Sequence, residues 1–155
     1  SCQRRARPGI AKRRRIMETG MIINKISHRL RRRSQAVQES IGISEAQGRI
    51  LNYIIAEGAR RSVYQKDIEE EFDLRPPTAS SILRSLEKQE MISRVPDETD
   101  GRLKKIVFTE KADKIRSALT EEIVETERRL LQGISEEEQR MFLRLAEKMF
   151  HNLEE

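Results

Sequence analysis

The feature that most constrains this chain is a pair of helices separated by a tight turn, within residues 62–108. The pattern predicts a short helix over Gln65–Phe72, a turn at Asp73–Arg75 and a second helix from Pro76 to about Glu90. Two prolines suit the first turn of that second helix, because the N–H groups that they lack have no helical partner there. Its apolar side chains recur at three- to four-residue spacing and form one stripe: Ile82, Leu83 and Leu86.

Two short strands are predicted directly after the second helix. They cover Ile92–Val95 and Lys104–Phe108, and the loop between them is Pro96–Arg102. A helix-turn-helix followed by a hairpin is the winged helix-turn-helix layout. In that layout the N-terminal half of the second helix enters the major groove of DNA.

Two segments of the stretch carry a resemblance to a known family. Residues Asp100–Ala112 (DGRLKKIVFTEKA) resemble the wing and the following helix start of the MarR family of transcriptional regulators. Residues Thr78–Lys88 (TASSILRSLEK) resemble that family's recognition helix. With the flanking helices, the resemblance extends over roughly residues 18–153. It implies a DNA-binding regulator that works as a homodimer.

The expected fold is mainly α with a small β-hairpin wing, in which a winged helix-turn-helix is flanked by N- and C-terminal dimerisation helices. The chain divides into a basic tail (1–15), a dimerisation helix (16–40), a DNA-binding domain (41–108) and dimerisation helices (109–155). Ser44 and Ser135 each begin a capping box, with Gln47 and Glu138 three residues on. Thr109 is expected to cap a long helix to about Gln132. The family resemblance also implies a short strand at residues 59–63, pairing with the wing.

The last helix, to about Leu153, carries a wide apolar stripe that repeats every four residues: Met141, Phe142, Leu145, Ala146, Met149, Phe150 and Leu153. Such a stripe is usually covered within one chain. Here the winged part is too small to cover all of the terminal helices, so the surplus indicates packing against a second copy. A twofold dimer also matches a palindromic operator.

Positive charge is concentrated at the start of the chain. The whole chain carries +5, and residues 1–15 hold seven cations and no acid, which leaves −2 for residues 16–155. The tail has two interpretations. It is a basic arm that contacts phosphates without reading sequence, or it is a vector remnant or leader upstream of the native start.

Roles in DNA binding follow from residue chemistry and position. Arg102 lies at the hairpin tip, where a guanidinium can enter a narrow minor groove. Asp100 cannot itself favour DNA, and its predicted role is to position the wing by a bidentate pair with Arg102, which the resemblance also implies. The other predicted contacts are to the major groove for Thr78, Ser80, Ser81 and Arg84, and to phosphate for Gln65, Arg75, Lys104 and Lys105.

The function expected is that of a sequence-specific regulator of double-stranded DNA, a repressor released by a small anionic or phenolic effector. The alternatives are a winged-helix protein-interaction module and a ligand-independent DNA-binding protein.

An enzyme is not expected, because the sequence has no glycine-rich phosphate loop and no Cys–His or Ser–His arrangement. Neither a cofactor nor a metal is expected, and the ligand-binding residues are unknown. Without an apolar run of about 20 residues or a secretory signal, the expected location is the cytoplasm rather than a membrane.

Overall fold

The computed structural model describes residues 16–154, so the basic tail lies outside the described residues. It confirms a mainly helical chain with one antiparallel hairpin. The order of elements is α1 (Glu18–Ile41), α2 (Glu45–Gly58), α3 (Gln65–Glu71), α4 (Pro76–Lys88), β1 (Ile92–Pro96), β2 (Lys104–Phe108), a short 3-10 turn (Glu110–Ala112), α5 (Asp113–Leu130) and α6 (Glu136–Asn152).

The core lies where α2, α3, α4 and the hairpin meet. Each helix contributes the apolar side chains that recur every three or four residues. Leu51 of α2, Ile68 of α3, and Leu83 and Leu86 of α4 are completely buried. Burying side chains of this size stabilises the fold by about 1.5–3 kcal/mol each. This core therefore fixes α4 against the rest of the winged unit.

The starts of α2, α4 and α6 agree with their sequence signals. Ser44 and Ser135 both form complete capping boxes, in which the serine hydroxyl accepts a hydrogen bond from the third backbone N–H and the third side chain accepts one from the serine N–H. Helix α4 has no side-chain cap at Arg75. Its first two residues are Pro76 and Pro77, so two of the N–H groups that would need a partner are missing.

The predicted strand at residues 59–63 is wrong. The sheet of residues 16–154 has two strands, with Ile92 opposite Phe108 at one end and Pro96 opposite Lys104 at the other. The backbone N–H groups of Arg60 and Arg61 both donate to the carbonyl of Glu57, so the end of α2 continues as a turn through them. Only Val63 reaches the sheet, where its carbonyl accepts one bond of 2.8 Å from Ile106.

The predicted side-chain cap at Thr109 is also wrong, although a helical turn does begin after this residue. The 3-10 turn follows Thr109, α5 begins only at Asp113, and the Thr109 side chain caps neither. Its hydroxyl donates instead to the carbonyl of Glu90, while its N–H donates to the carbonyl of Met91. Glu90 has a left-handed backbone, with φ of 58°, and this conformation turns the chain out of α4 towards the hairpin. Thr109 therefore closes the connection after α4.

Helix α6 lies outside that core, whereas α5 contributes the buried Leu119 to it and α1 packs Val37 and Ile41 against it. Helix α1 contacts α5, where Arg33 Nε donates to Thr126 Oγ1 at 3.2 Å. Helix α6 has no buried residue, and its apolar stripe is exposed except for the half-buried Ala146, with Phe142 and Phe150 61% and 69% exposed. Within residues 16–154, no helix has both the length and the apolar character needed to cross a membrane.

Candidate nucleic-acid interface

The outward face of α4 is polar and borders a shallow surface depression. Its inward residues Ala79, Leu83 and Leu86 are completely buried, so the helix can turn only one side outward. Thr78, Ser81 and Arg84 are exposed on that side, and Ser80 is half-buried at its edge. Four predicted major-groove residues therefore share one helix, and three of them are exposed.

Arg84 is the one cation among those four residues. It lines a depression of about 710 Å³ together with Ser81, Ser85, Glu87 and Lys88. Its side chain is exposed, and within residues 16–154 its guanidinium makes no hydrogen bond or ion pair. Both edges of the guanidinium are therefore available for a bidentate contact, which suits the O6 and N7 atoms of guanine.

The start of α4 presents Arg75 and Thr78 next to the prolines. Arg75 is exposed at the N-cap, and its carbonyl accepts the backbone N–H of Thr78 at 3.0 Å. The helix dipole adds partial positive charge at this end. An exposed arginine beside a helix N-terminus suits a phosphate group.

The wing tip holds an exposed ion pair. Arg102 donates from Nε and Nη2 to the two carboxylate oxygens of Asp100, each at 3.0 Å, and from its backbone N–H to Oδ1 at 3.1 Å. The Arg102 side chain is 91% exposed, whereas that of Asp100 is 34% exposed. These bonds lower the pKa of Asp100 and raise that of Arg102. The expected bidentate pair is present, although a pair this exposed adds little to stability.

The two lysines that follow the tip differ in their surroundings. Lys104 is exposed at the start of β2. Lys105 is half-buried, and its Nζ lies 3.1 Å from a carboxylate oxygen of Glu98. Lys104 is therefore the more accessible of the two to a phosphate, since Lys105 would first leave its carboxylate partner.

Gln65 is already engaged within the protein. Its Oε1 accepts from Arg94 Nη1 at 2.8 Å, and its Nε2 donates to Glu69 at 3.2 Å and to the Pro76 carbonyl at 3.4 Å. Arg94 also donates from Nε to Glu87 of α4 at 2.8 Å. Gln65 and Arg94 thus tie α3, both ends of α4 and strand β1 together. A phosphate contact by Gln65 would replace one of these bonds.

Sequence reasoning missed Arg94 and Asp97. Asp97 lies in the wing loop, is only 7% exposed, and accepts hydrogen bonds from Tyr64, Thr99 and Asp100. The hydrogen bonds from Thr99 and Tyr64 lower its pKa well below the usual range for aspartate. The sequence Asp97-Glu98-Thr99 carried a signal for the local turn, because aspartate accepts bonds from backbone two residues on. No local pattern predicted the hydrogen bond from Tyr64, which lies 33 residues earlier in the chain.

Metal-binding side chains do not form a cluster in the described part of the chain. Across residues 16–154, no three His, Cys, Asp or Glu side chains lie together in a way that could hold a metal ion.

Comparison with known proteins identifies the same unit. The sequence model of the MarR family matches residues 41–103. MepR of S. aureus, in its DNA-binding conformation, is 30% identical; the match covers 88% of this chain and 98% of MepR, with a TM-score of 0.76. MepR in a DNA complex matches at 29% identity over 89% of this chain and 98% of its own, with a TM-score of 0.71. MepR bound to ethidium bromide matches at 30% identity over 87% and 96%, with a TM-score of 0.54.

A second relative bears on the fold. The transcription regulator MarR from Oenococcus oeni PSU-1 is 21% identical, and its match covers 86% of this chain and 99% of MarR with a TM-score of 0.75. The family match falls on the helix-turn-helix and most of the wing, and the 30% identical relative is matched over nearly its whole length. This protein therefore belongs to the MarR family of winged helix-turn-helix transcriptional regulators.

Proposed function

We propose that this protein is a homodimeric regulator that binds double-stranded DNA in a sequence-specific manner. The observation that carries the proposal is the wing tip, where Arg102 is almost fully exposed yet held in one orientation by Asp100. A guanidinium presented in this way suits a narrow minor groove, where the potential is most negative. Arg84 and the polar face of α4 supply the contacts to the adjacent major groove.

The proposed dimer rests on the unburied stripe of α6. Leu145, Met149 and Leu153 are 42%, 40% and 82% exposed in the single chain. Helix α1 adds Met21, Ile22 and Ile23 at 40%, 51% and 48%. Contiguous apolar surface on this scale is unfavourable in water and marks an interaction site. A second copy would cover it and place two copies of α4 on one DNA face.

We further propose that the protein is a repressor released by a small ligand. MepR has been captured both with DNA and with ethidium bromide. This chain has a groove of about 380 Å³ between α1 and α5, with apolar Ile26, Leu30 and Leu130 beside Arg29, Arg33 and Arg129. Three arginines disfavour a cation, so the ligand proposed for this groove is an anionic or phenolic molecule with an apolar body.

We also propose that the protein is not an enzyme, because the family to which it belongs is one of transcriptional regulators and DNA binding requires no catalytic residues. The relatives with named organisms are bacterial, so we place this regulator with bacterial DNA in the cytoplasm. A protein-interaction module would not need unpaired Arg84, and a ligand-independent binder would not need the arginine-lined groove.

The direct test is selection of duplexes from a random library by the full chain, followed by sequencing. We expect an inverted repeat whose half-sites lie about 10 base pairs apart, because a twofold dimer reads two successive major grooves. The binding constant of the selected duplex should fall steeply with salt concentration. No enrichment, or binding that ignores salt, would favour the protein-interaction alternative.

A further inference from the structure

The wing contains a buried carboxylate, and contact with DNA would not explain why it is there. Asp97 is 7% exposed, while the next side chain, Glu98, is 86% exposed. Burying an ionised carboxylate is unfavourable unless hydrogen bonds compensate it. A negative charge beside phosphates is also unfavourable. A structural task would account for both costs.

The carboxylate of Asp97 is saturated with donors. Its Oδ2 accepts from the Thr99 hydroxyl at 2.6 Å, the Thr99 N–H at 3.0 Å and the Asp100 N–H at 3.2 Å. Its Oδ1 accepts from the Tyr64 hydroxyl at 2.7 Å. Hydrogen bonds to a charged group are among the stronger ones in proteins. Asp97 therefore fixes the turn that leads to the wing tip.

Tyr64, which lies outside the hairpin, connects Asp97 to the rest of the winged unit. Its backbone N–H donates to Asp67 Oδ2 at 2.9 Å, and the same oxygen accepts Arg61 Nη1 at 3.0 Å. Arg61 is held in turn by Glu57 at the end of α2, at 2.9 Å. The wing loop is thereby tied to the body of the winged unit, and not only to its own two strands.

On its other side, Asp97 reaches the DNA-facing tip through one residue. It fixes the N–H of Asp100, and the carboxylate of Asp100 grips Arg102. The tip is closed by two further bonds, from Asp97 N–H to the Leu103 carbonyl at 2.9 Å and from Leu103 N–H to the Asp100 carbonyl at 3.0 Å. Tyr64, Asp97, Asp100 and Arg102 thus form one continuous series of contacts.

We propose that Asp97, held by the Tyr64 hydroxyl, is a positioning residue that fixes the wing tip in the orientation in which Arg102 meets DNA. The DNA part of this inference rests on the proposed function. The physical reason is preorganisation: a tip that is already ordered loses less conformational freedom on binding. Without the anchor, Arg102 keeps its charge but must be ordered during association.

The first test is independent of DNA. The ¹H–¹⁵N heteronuclear NOE of the Gly101 amide, between Asp100 and Arg102, is measured for the full chain as wild type, Asp97→Asn and Tyr64→Phe. The NOE should drop in both variants while amides of α3 and α4 keep theirs. If Asp97→Asn does not fold, as judged by circular dichroism, Tyr64→Phe decides alone, since it removes a single hydroxyl. An unchanged Gly101 NOE in a folded variant overturns the proposal.

The second test uses the sign of a charge effect. Asp97→Asn and Glu98→Gln each remove one negative charge from the wing loop, so charge alone would tighten DNA binding in both. In an anisotropy titration with a duplex selected by the protein, Glu98→Gln should bind equally or more tightly. Asp97→Asn should bind at least about fivefold more weakly, in line with the loss of hydrogen bonds to a charged group. If Asp97→Asn binds as Glu98→Gln does, Asp97 has no positioning role.

A double-mutant cycle separates this inference from the proposed function. Asp97→Asn should weaken binding when Arg102 is present and leave it unchanged or slightly tighter in an Arg102→Ala background, because the weakening passes through Arg102 and only the charge effect remains without it. Equal weakening in both backgrounds overturns the positioning role. If Arg102→Ala alone has no effect on binding, the wing contact of the proposed function fails, while the Gly101 NOE still decides whether Asp97 orders the tip.

Discussion

Two arginines near the proposed DNA surface differ in what holds them. Arg102 is gripped by Asp100, whereas within residues 16–154 Arg84 has no partner. A guanidinium that is held can be aimed at one groove before DNA arrives. One that is unpaired keeps both edges available for a base. Replacing each arginine should therefore affect DNA binding in a different way.

Replacing Arg84 tests direct readout. Arg84→Ala should weaken binding to the selected duplex by about 1–3 kcal/mol and relax the preference at one position in each half-site. Arg84→Lys is the matched control, because it keeps the charge but loses the bidentate fork. Selection from random duplexes with each variant measures the preference. Uniform weakening across all sequences would show that Arg84 contacts phosphate instead of a base.

Replacing Asp100 tests the role of the tip pair by its sign. Asp100→Ala removes a negative charge, which alone would strengthen DNA binding. We expect weaker binding instead, similar to but milder than Arg102→Ala, because the guanidinium loses its partner. Any preference lost with Arg102→Ala should be confined to A·T-rich flanks, where the minor groove is narrow. Tighter binding by Asp100→Ala in an anisotropy titration would reduce Asp100 to a repulsive surface charge.

At the scale of helices and strands, features set by neighbours in sequence could be predicted. The capping boxes at Ser44 and Ser135, the prolines that open α4 and its buried stripe are all local patterns. The prediction of a strand at residues 59–63 was wrong because Arg60 and Arg61 continue the end of α2 as a turn.

Features set by distant partners could not be predicted. The hydroxyl of Thr109 has a capping position in sequence, but the left-handed Glu90 brings a competing carbonyl to it. Asp97 and Arg94 gain their importance from Tyr64 and Gln65, each about thirty residues away. No local pattern in the sequence reports such a contact.

Helix α6 supplies the test of the dimer. Because it buries nothing in the single chain, replacing Leu145 and Met149 together by glutamate should leave the winged unit folded and yield a monomer. Burying two carboxylates in an apolar interface without partners would cost several kcal/mol. Arg140→Glu, on the opposite side of α6, makes the same total change in charge and should stay dimeric. Sedimentation at micromolar concentration measures both, and a stable wild-type monomer would contradict the dimer.

At the scale of the whole molecule, charge is divided between the tail and the remainder. Residues 16–155 carry a net −2, so DNA affinity depends on where their cations lie and not on their sum. Glu70 and Glu71 of α3 are exposed, and their charges make flat contact of α3 with phosphates unfavourable.

Removing residues 1–15 tests the basic arm. The dependence of binding on salt should become shallower, by about 0.9 in logarithmic slope for each phosphate neutralised by a tail cation. Operator preference should stay the same. Replacing the seven cations by glutamine is the control for length and should act as the deletion does. An unchanged slope would mean that the tail does not contact phosphates, and an altered preference would mean that it reads bases.

The most direct measurement of the central claim is methylation protection with dimethyl sulfate on the selected duplex. The reagent attacks N7 of guanine in the major groove and N3 of adenine in the minor groove, so it reports α4 and the wing together. We expect two protected guanine sites about 10 base pairs apart, related by twofold symmetry, each flanked by protected adenines. Arg84→Ala should lose the guanine protection alone, and Arg102→Ala the adenine protection alone. Protection in only one groove, or at a single half-site, would contradict a dimer that reads DNA with both α4 and the wing.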